Sequence, residues 1–376
     1  MKNALKFHES TFNKPQIIIN SPGRVNILGE HTDYNGGTVL PFAIHKKTQL
    51  ILSESSINTQ VYSHLYQEKI NLDRPENQAS WGKYIIQVVS TFKNSGIDLK
   101  HFNATIHGDL PAGQGLSSST SLTCGIIAGL NQLFNLSLTT DEIINFSSRA
   151  EHASGTLGGI MDQTAIMYSK RDHFLKINCS DNNIEALNHS LNNSEWLIIN
   201  SKVDHELSGS GYNLRREQCN LGLQSIHEQY SKELRFTDLT IQHLGHLNST
   251  NKTSYKRLLH FIEEQERVKH ALVALKNNNP QNLGKLLYQC HQSLSENYEV
   301  STPEIDFLVE ELINHHAVYG ARMVGGGFGG SVLALIQKGM APKIKEETFP
   351  KYLNTFNLEA EGFLCYPCNG LQIQTL

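Results

Sequence analysis

Ser-Pro-Gly-Arg-Val-Asn-Ile-Leu-Gly-Glu-His-Thr-Asp-Tyr, residues 21–34, brings Arg24, Glu30, His31 and Asp33 within ten positions of one another. It follows Ile17-Ile18-Ile19, an apolar run that reads as a strand. Pro22-Gly23 and Gly29 interrupt regular structure, which places the polar groups on turns beside that strand. Carboxylates accept from sugar hydroxyls, while Arg and His donate to oxygen, so the group suits a polyol better than a core. Four such residues alone would read as a solvated loop. Motifs farther along the chain decide against that.

The second motif is Asp109-Leu-Pro-Ala-Gly-Gln-Gly-Leu-Ser-Ser-Ser-Thr-Ser121. It stands between an alternating strand, residues 103–107, and an apolar helical run, Leu122 to Leu133. A glycine-rich turn feeding a helix N-terminus aims unpaired N–H groups and the positive end of the helix dipole at one point, a cradle for phosphate. Gly113 and Gly115 allow close approach, and Ser117, Ser118 and Ser119 offer more hydroxyls than a helix cap needs. No Lys-Ser/Thr follows the glycines, so this is not a Walker A loop.

Gly320-Ala-Arg-Met-Val-Gly-Gly-Gly-Phe-Gly-Gly-Ser331 contains a formal G-x-G-x-x-G, but a strand-like run to Ile336 follows where a dinucleotide fold needs a helix. Five glycines in six positions imply a backbone approaching another backbone or a ligand. A fourth cluster pairs Glu151, near the end of a helix opened by the Thr139/Glu142 capping box, with Asp162 just past Gly158-Gly159. An acid near a helix C-terminus opposes the dipole and calls for a partner, for which a cation is the obvious choice. Asp162, in an apolar setting, is expected to be paired or catalytic.

The 376 residues suggest two domains, and 39% apolar content supports folded cores. Acidic residues number 36 against 32 basic, with no basic block, so nucleic-acid binding has no electrostatic support. No apolar run reaches the length of a membrane span and no leader is visible, which implies a cytoplasmic chain acting away from membranes. Six cysteines are scattered, and only Cys365-Tyr-Pro-Cys368 has metal- or redox-like spacing, without the context either role needs.

Together these segments resemble the galactokinases, within the GHMP small-molecule kinase superfamily. Residues 23–34 resemble the galactokinase signature, and Gly115-Leu-Ser-Ser-Ser-Thr120 the superfamily phosphate loop. Residues 323–330 resemble its C-terminal glycine motif, while Gly159-Ile-Met-Asp-Gln163 and residues 208–219 fit galactokinases in particular. Trp81-Gly-Lys-Tyr84 is similar to the segment near the adenine.

The resemblance implies an α+β, two-lobed GHMP kinase fold with the active site in the inter-lobe cleft, its lobes covering residues 1–170 and 171–376. It implies transfer of phosphate from ATP to the anomeric hydroxyl of D-galactose, the first step of galactose use by the Leloir pathway, in a monomer. Asp162 would face that hydroxyl as base or electrostatic partner, with Arg24 across from it. Asp33 would accept from O3 and O4, Glu30 and His31 would meet O6, and Gly159 and Tyr212 would complete the sugar pocket. Gly113, Gly115, Leu116, Ser117, Ser118 and Trp81 would hold the nucleotide, and Ser119 and Glu151 would ligate Mg²⁺. A related sugar-1-kinase, such as one for N-acetylgalactosamine, and a non-catalytic sugar sensor are the alternatives. Departures from the family's usual residues stand at Gly36, Thr120, Gly158, Asp204, Glu206 and Val324.

Overall fold

The strand opened by Ile17-Ile18-Ile19 is longer than the sequence implies. β1 spans Ile17–Asn26 and passes through Pro22-Gly23, with its register shifted between Pro22 and Arg24. Proline cannot donate to the ladder, and the irregularity absorbs it without ending the strand. Arg24 therefore stands on a strand, and the turn comes later, at Gly29, where φ is +98°.

The computed structural model describes residues 2–74, 80–188, 191–203 and 208–376. The positions 204 and 206 singled out above lie outside them. After α1 (Lys2–Thr11) and β1 come β2 (Thr38–Val39), β3 (Pro41–Glu54), β4 (Gln60–Ser63), β5 (Glu68–Asn71), α2 (Lys83–Asn94) and β6 (Phe102–Gly108). Three helices follow: α3 (Ser118–Phe134), α4 (Thr140–Ala153) and α5 (Met161–Tyr168). The second half holds β7 (His173–Asn178), β8 (Asn183–Asn188), β9 (Ser194–Asn200), α6 (Ser208–Gln229), α7 (Leu247–Thr250), α8 (Lys252–Lys276), α9 (Pro280–Glu296) and α10 (Pro303–Ile313). It closes with β10 (Val318–Val324), β11 (Ser331–Gln337), α11 (Ala341–Phe356), β12 (Glu361–Cys365) and β13 (Gln372–Thr375).

Local chemistry sets several of these boundaries. Thr139 and Glu142 form a reciprocal capping box at α4. Thr302 accepts from the Ile305 N–H at α10, with Pro303 in the first turn, where its missing N–H costs nothing.

The N-terminal sheet has the order β13-β1-β3-β6-β4-β5, and the C-terminal sheet the order β10-β11-β9-β12. Ile19, Leu50, Leu52, Ile85, Phe92, Ile126, Leu130 and Phe146 pack the first sheet against α2, α3 and α4. A larger apolar cluster joins β9, β10 and β11 to α8, α9 and α10 and reaches Val25, Ile27 and Leu28 at the end of β1. This is a two-lobed α+β arrangement, and the core runs across the junction. The chain does not divide at residue 170 as neatly as the lobes do. β7 pairs with β2 and carries β8 on its other edge, and β13 returns from the C-terminal end to pair antiparallel with β1.

Among the described residues no helix is long and apolar enough to cross a membrane. Cys365 and Cys368 are both free thiols, as are the other four cysteines.

Candidate active site

A cavity of about 850 Å³ lies between the lobes. Its walls include Arg24, Glu30, His31, Asp33, Gly159, Asp162 and Tyr212 at one end and Tyr66, Trp81 and Ile106 at the other, with Gly113, Gly115 and Ser117–Thr120 between. Burial explains why segments so far apart in sequence meet here. The turn after β1 is clamped by α8: the Gly29 N–H donates to Glu264, the Thr38 N–H donates to Gln265, and Gln265 donates to Thr32. The Arg267 guanidinium beside Glu264 outweighs the effect of burial and holds that carboxyl at about 2.

Arg24 and Asp162 make a two-point ion pair. Nε donates to Oδ1 at 2.6 Å and Nη2 to Oδ2 at 2.8 Å, while Nη1 donates to the Gly115 carbonyl at 2.7 Å. Burial works against the Arg24 charge, but Asp162 and Glu30 outweigh it and hold its pKa above the ordinary value. Asp162 occupies the first turn of α5, where the helix dipole also favours a carboxylate. The Ser117 hydroxyl donates to Oδ2 of Asp162 as well. Ser117 is held at φ +60° and caps nothing with its side chain, which leaves its hydroxyl for the Asp162 carboxylate. The Leu116 side chain is buried in the larger core, and its carbonyl accepts from the Arg24 N–H.

Glu30 lines the cavity, but its carboxylate is already engaged. It accepts from Arg322 Nη2 at 3.0 Å, Asn26 Nδ2 at 2.6 Å and the Gly325 N–H at 2.7 Å. Arg322 is fully buried and also donates to the carbonyls of Asn26, Ile27 and Met323. It sits inside the quoted glycine motif, yet nothing in the sequence distinguishes it from a surface arginine on a strand. Asp33 packs against Gly159, where a Cβ would collide with its carboxylate. Burial, with Asp162 and Glu30 nearby, pushes Asp33 up to about 7 despite the Tyr34 N–H and Arg24. His31 is neutral, held at about 3 chiefly by burial, and packs against the rings of Tyr212 and Tyr298.

The phosphate loop meets the glycine motif backbone to backbone. A Cβ on Gly115 would strike the Val324 carbonyl, and one on Gly325 would strike Gly115, both at positive φ. Ser331 donates to the Gln114 carbonyl across the same contact. Beside the loop, Glu151 accepts from Thr120 Oγ1 at 2.8 Å and Gln163 Nε2 at 2.5 Å, and the Ser119 hydroxyl also favours its charge. Burial, then Asp162, still pushes it up to about 7. The dipole conflict expected at Glu151 is thus met by hydroxyl and amide donors within the protein. The oxygens of Ser119 and Glu151, with the unpartnered buried Gln163 Oε1 close by, form an all-oxygen set that fits a hard cation. At the other end Trp81 donates its indole N–H to Glu68 and stacks on Tyr66 at 5.8 Å, an aromatic partner that the sequence did not reveal.

Comparison with known proteins decides what family owns this geometry. The galactokinase galactose-binding signature matches residues 6–54, and the GHMP kinase N-terminal and C-terminal domains match residues 83–170 and 271–354. A galactokinase of Thermosipho africanus is 36% identical over 94% of this chain and 98% of its own length. This chain belongs to the galactokinase family. The structure of Lactococcus lactis galactokinase complexed with galactose superposes with a TM-score of 0.91 over 99% of both chains, at 27% identity. Mevalonate kinase of Methanococcus jannaschii shares the fold, with a TM-score of 0.65 over 94% of this chain and 99% of its own at 21% identity.

Several departures from the usual galactokinase residues have local reasons. Gly36 sits at φ +76° at the end of a short 3₁₀ turn, where a side chain would be strained. Gly158 leaves room beside the Tyr212 hydroxyl and its carbonyl lies 2.8 Å from His152 Nε2. Thr120 supplies Glu151 with a hydroxyl that alanine lacks. Val324 meets the phosphate loop through its carbonyl, so its side chain is not what the contact reads.

The Glu30–Arg322 pair yields a stability test. Arg322→Met leaves a buried carboxylate without its cation, a loss of about 3–5 kcal/mol. Urea unfolding should show that drop in midpoint, and galactose should bind more weakly; an unchanged midpoint contradicts the structural role given to Arg322.

Proposed function

We propose that this galactokinase-family chain transfers the terminal phosphoryl group of ATP to the anomeric hydroxyl of D-galactose in this cleft, with Arg24 and Asp162 at the point of transfer. The observation that carries the assignment is the two-point Arg24–Asp162 pair, tied through Gly115 and Ser117 to the phosphate loop and flanked by Asp33. A carboxylate offers about four lone-pair sites, and three on Asp162 are taken. The fourth accepts the O1–H of the sugar and fixes the hydroxyl in line. The Arg24 and Ser117 donors fix this carboxylate as an oriented acceptor for that proton. That is sufficient if bond making is late, because in a loose transition state the attacking oxygen keeps its proton until the phosphoryl group has nearly arrived. Arg24, a planar fork with N–H groups beyond those used, then offsets charge on the transferring group.

Asp33 accepts from O3 and O4, while His31 and Tyr212 close the O6 side; Glu30 acts there mainly through what it holds in place. The N-terminus of α3, with Ser118, receives the phosphates, and Trp81 and Tyr66 flank the nucleobase. Ser119 and Glu151 hold Mg²⁺, which when bound neutralises phosphate charge. Gly159 admits the sugar beside Asp33 because it has no Cβ.

The primary test is coupled ADP release over a panel of galactose, glucose, N-acetylgalactosamine and mannose. An Asp33 carboxylate that has lost one of two adjacent hydroxyl donors is left unpaired, so glucose should lose on the order of 10⁴ in kcat/KM. Equal use of galactose and glucose contradicts the Asp33 assignment.

Asp162→Asn keeps the shape but removes charge and acceptor strength. Its kcat should fall by about 10²–10⁴ while galactose still binds within a few-fold. Near-normal turnover would remove Asp162 from the centre of the mechanism.

Asp33 also gives a pH dependence. Its folded value of about 7 lies above the unfolded one, so the free protein loses stability from this group as pH rises from about 4 to 7. Sugar hydroxyls favour the ionised form and expel the proton. Galactose affinity should therefore rise between about pH 6 and 8, with proton release seen by calorimetry in buffers of different ionisation heat. Asp33→Asn should abolish the release; a persisting release assigns it elsewhere.

A further inference from the structure

The sugar site uses one ring nitrogen of His31, and the other leads away from it. His31 Nδ1 lies 2.9 Å from the Tyr34 hydroxyl, which lies 2.7 Å from the Tyr298 hydroxyl, which lies 3.2 Å from the Cys219 thiol. Tyr298 is fully buried, is not part of the cavity wall, and belongs to none of the sequence motifs. Its ring is held between those of His31 and His260, at 4.8 and 4.5 Å, and its carbonyl accepts from Arg215 Nε. His260 does not compete for the hydroxyl. Its Nε2 faces the Glu30 carbonyl at 3.0 Å and must donate, leaving Nδ1 to accept from Ser293 at 2.9 Å.

Each member of this chain carries one proton. Burial keeps both tyrosines and the thiol neutral by raising their pKa values, and the imidazole is neutral too. Two hydroxyls 2.7 Å apart need a proton between them. The bonds must therefore all point the same way, from thiol to imidazole or from imidazole to thiol. The second direction leaves a bare Nε2 lone pair next to the Gly326 carbonyl, which can only accept. The first leaves an N–H there. Nε2 is buried and, among the described residues, has no well-formed hydrogen bond; His31 and Gly326 both line the cavity, so a hydroxyl bound there can take up this N–H.

We propose that Tyr34 and Tyr298 are positioning residues that lock His31 in its Nε2–H tautomer, making Nε2 a fixed donor to the 6-hydroxyl oxygen of the sugar. Tyr298, which does not reach the sugar, thereby sets specificity at C6. The proposal rests on the reading that His31 faces O6, and its test separates the two.

Steady-state kinetics with galactose and 6-deoxygalactose are compared for the wild type, Tyr298→Phe and Tyr34→Phe. Nitrogen-15 NMR of the histidines is recorded for each, with the His31 signals identified by their loss in His31→Gln. The wild type should prefer galactose and show His31 protonated on Nε2. Both variants should narrow the preference by roughly 3- to 10-fold, the worth of one hydrogen bond. The change should come through the KM for galactose, with kcat and the KM for 6-deoxygalactose near wild type, and Tyr34→Phe should show mixed tautomers. A wild-type His31 protonated on Nδ1, or an unchanged tautomer and preference in both variants, overturns the proposal. An equal loss for the two sugars also overturns it, since that is a structural defect. A wild type indifferent to the 6-hydroxyl, with a tautomer that follows Tyr34, supports the lock and sinks the assignment of His31 to O6.

Discussion

Two guanidiniums hold two of the three carboxylates buried at the junction between the lobes, and the site is arranged around that constraint. Arg24 fixes Asp162, Arg322 fixes Glu30, and Asp33 stands between them without a cation of its own. Burying such charges is unfavourable unless each finds a partner and hydrogen bonds, and breaking one pair leaves its survivor exposed to the full desolvation penalty. The elements that carry them are consequently locked together: β1 with α5, and the turn after β1 with β10. The Asp33 carboxyl is the exception. On the function proposed above, a substrate with adjacent hydroxyls would supply the missing donors, and an unpaired carboxyl would become a means of selection.

The glycine motif performs a second task at the same junction. Gly115 and Gly325 let two backbones touch where no side chain fits, so the phosphate loop is fixed against β10 and the Gly325 N–H turns to Glu30. The sugar end and the phosphate end of the cleft are thus held by one contact. Phosphoryl transfer gains chiefly from alignment and charge compensation, and a rigid link between the two substrate sites supplies the first of these.

Much of this was legible in the sequence. The glycine-rich turn before α3, the capping box of α4, the proline opening of α10 and the strand character of residues 331–336 all follow from local rules, and all stand in the structure. The residues proposed for the sugar site, Arg24, Glu30, His31, Asp33, Gly159, Asp162 and Tyr212, do line one cavity. What local rules missed were partnerships over long sequence separations. Pro22-Gly23 read as a break because the register shift that absorbs it depends on β3. The bond from Ser117 to Asp162, forty-five positions away, is invisible to a motif.

The sequence by itself determined the inventory: which segments could bind phosphate, which could face a polyol, and that the chain resembles the galactokinases. Residue type and short spacing suffice for that, since hydrogen-bonding capacity, backbone freedom and helix capping are local properties. Only the tertiary structure decided how those groups are employed. Arg322 became the buried counter-ion of Glu30, Thr120 and Gln163 became the donors to Glu151, and Tyr298 became a link in a chain leading to His31. Each is a choice of partner across the fold, made because a buried polar group must be satisfied by whatever packing brings within reach.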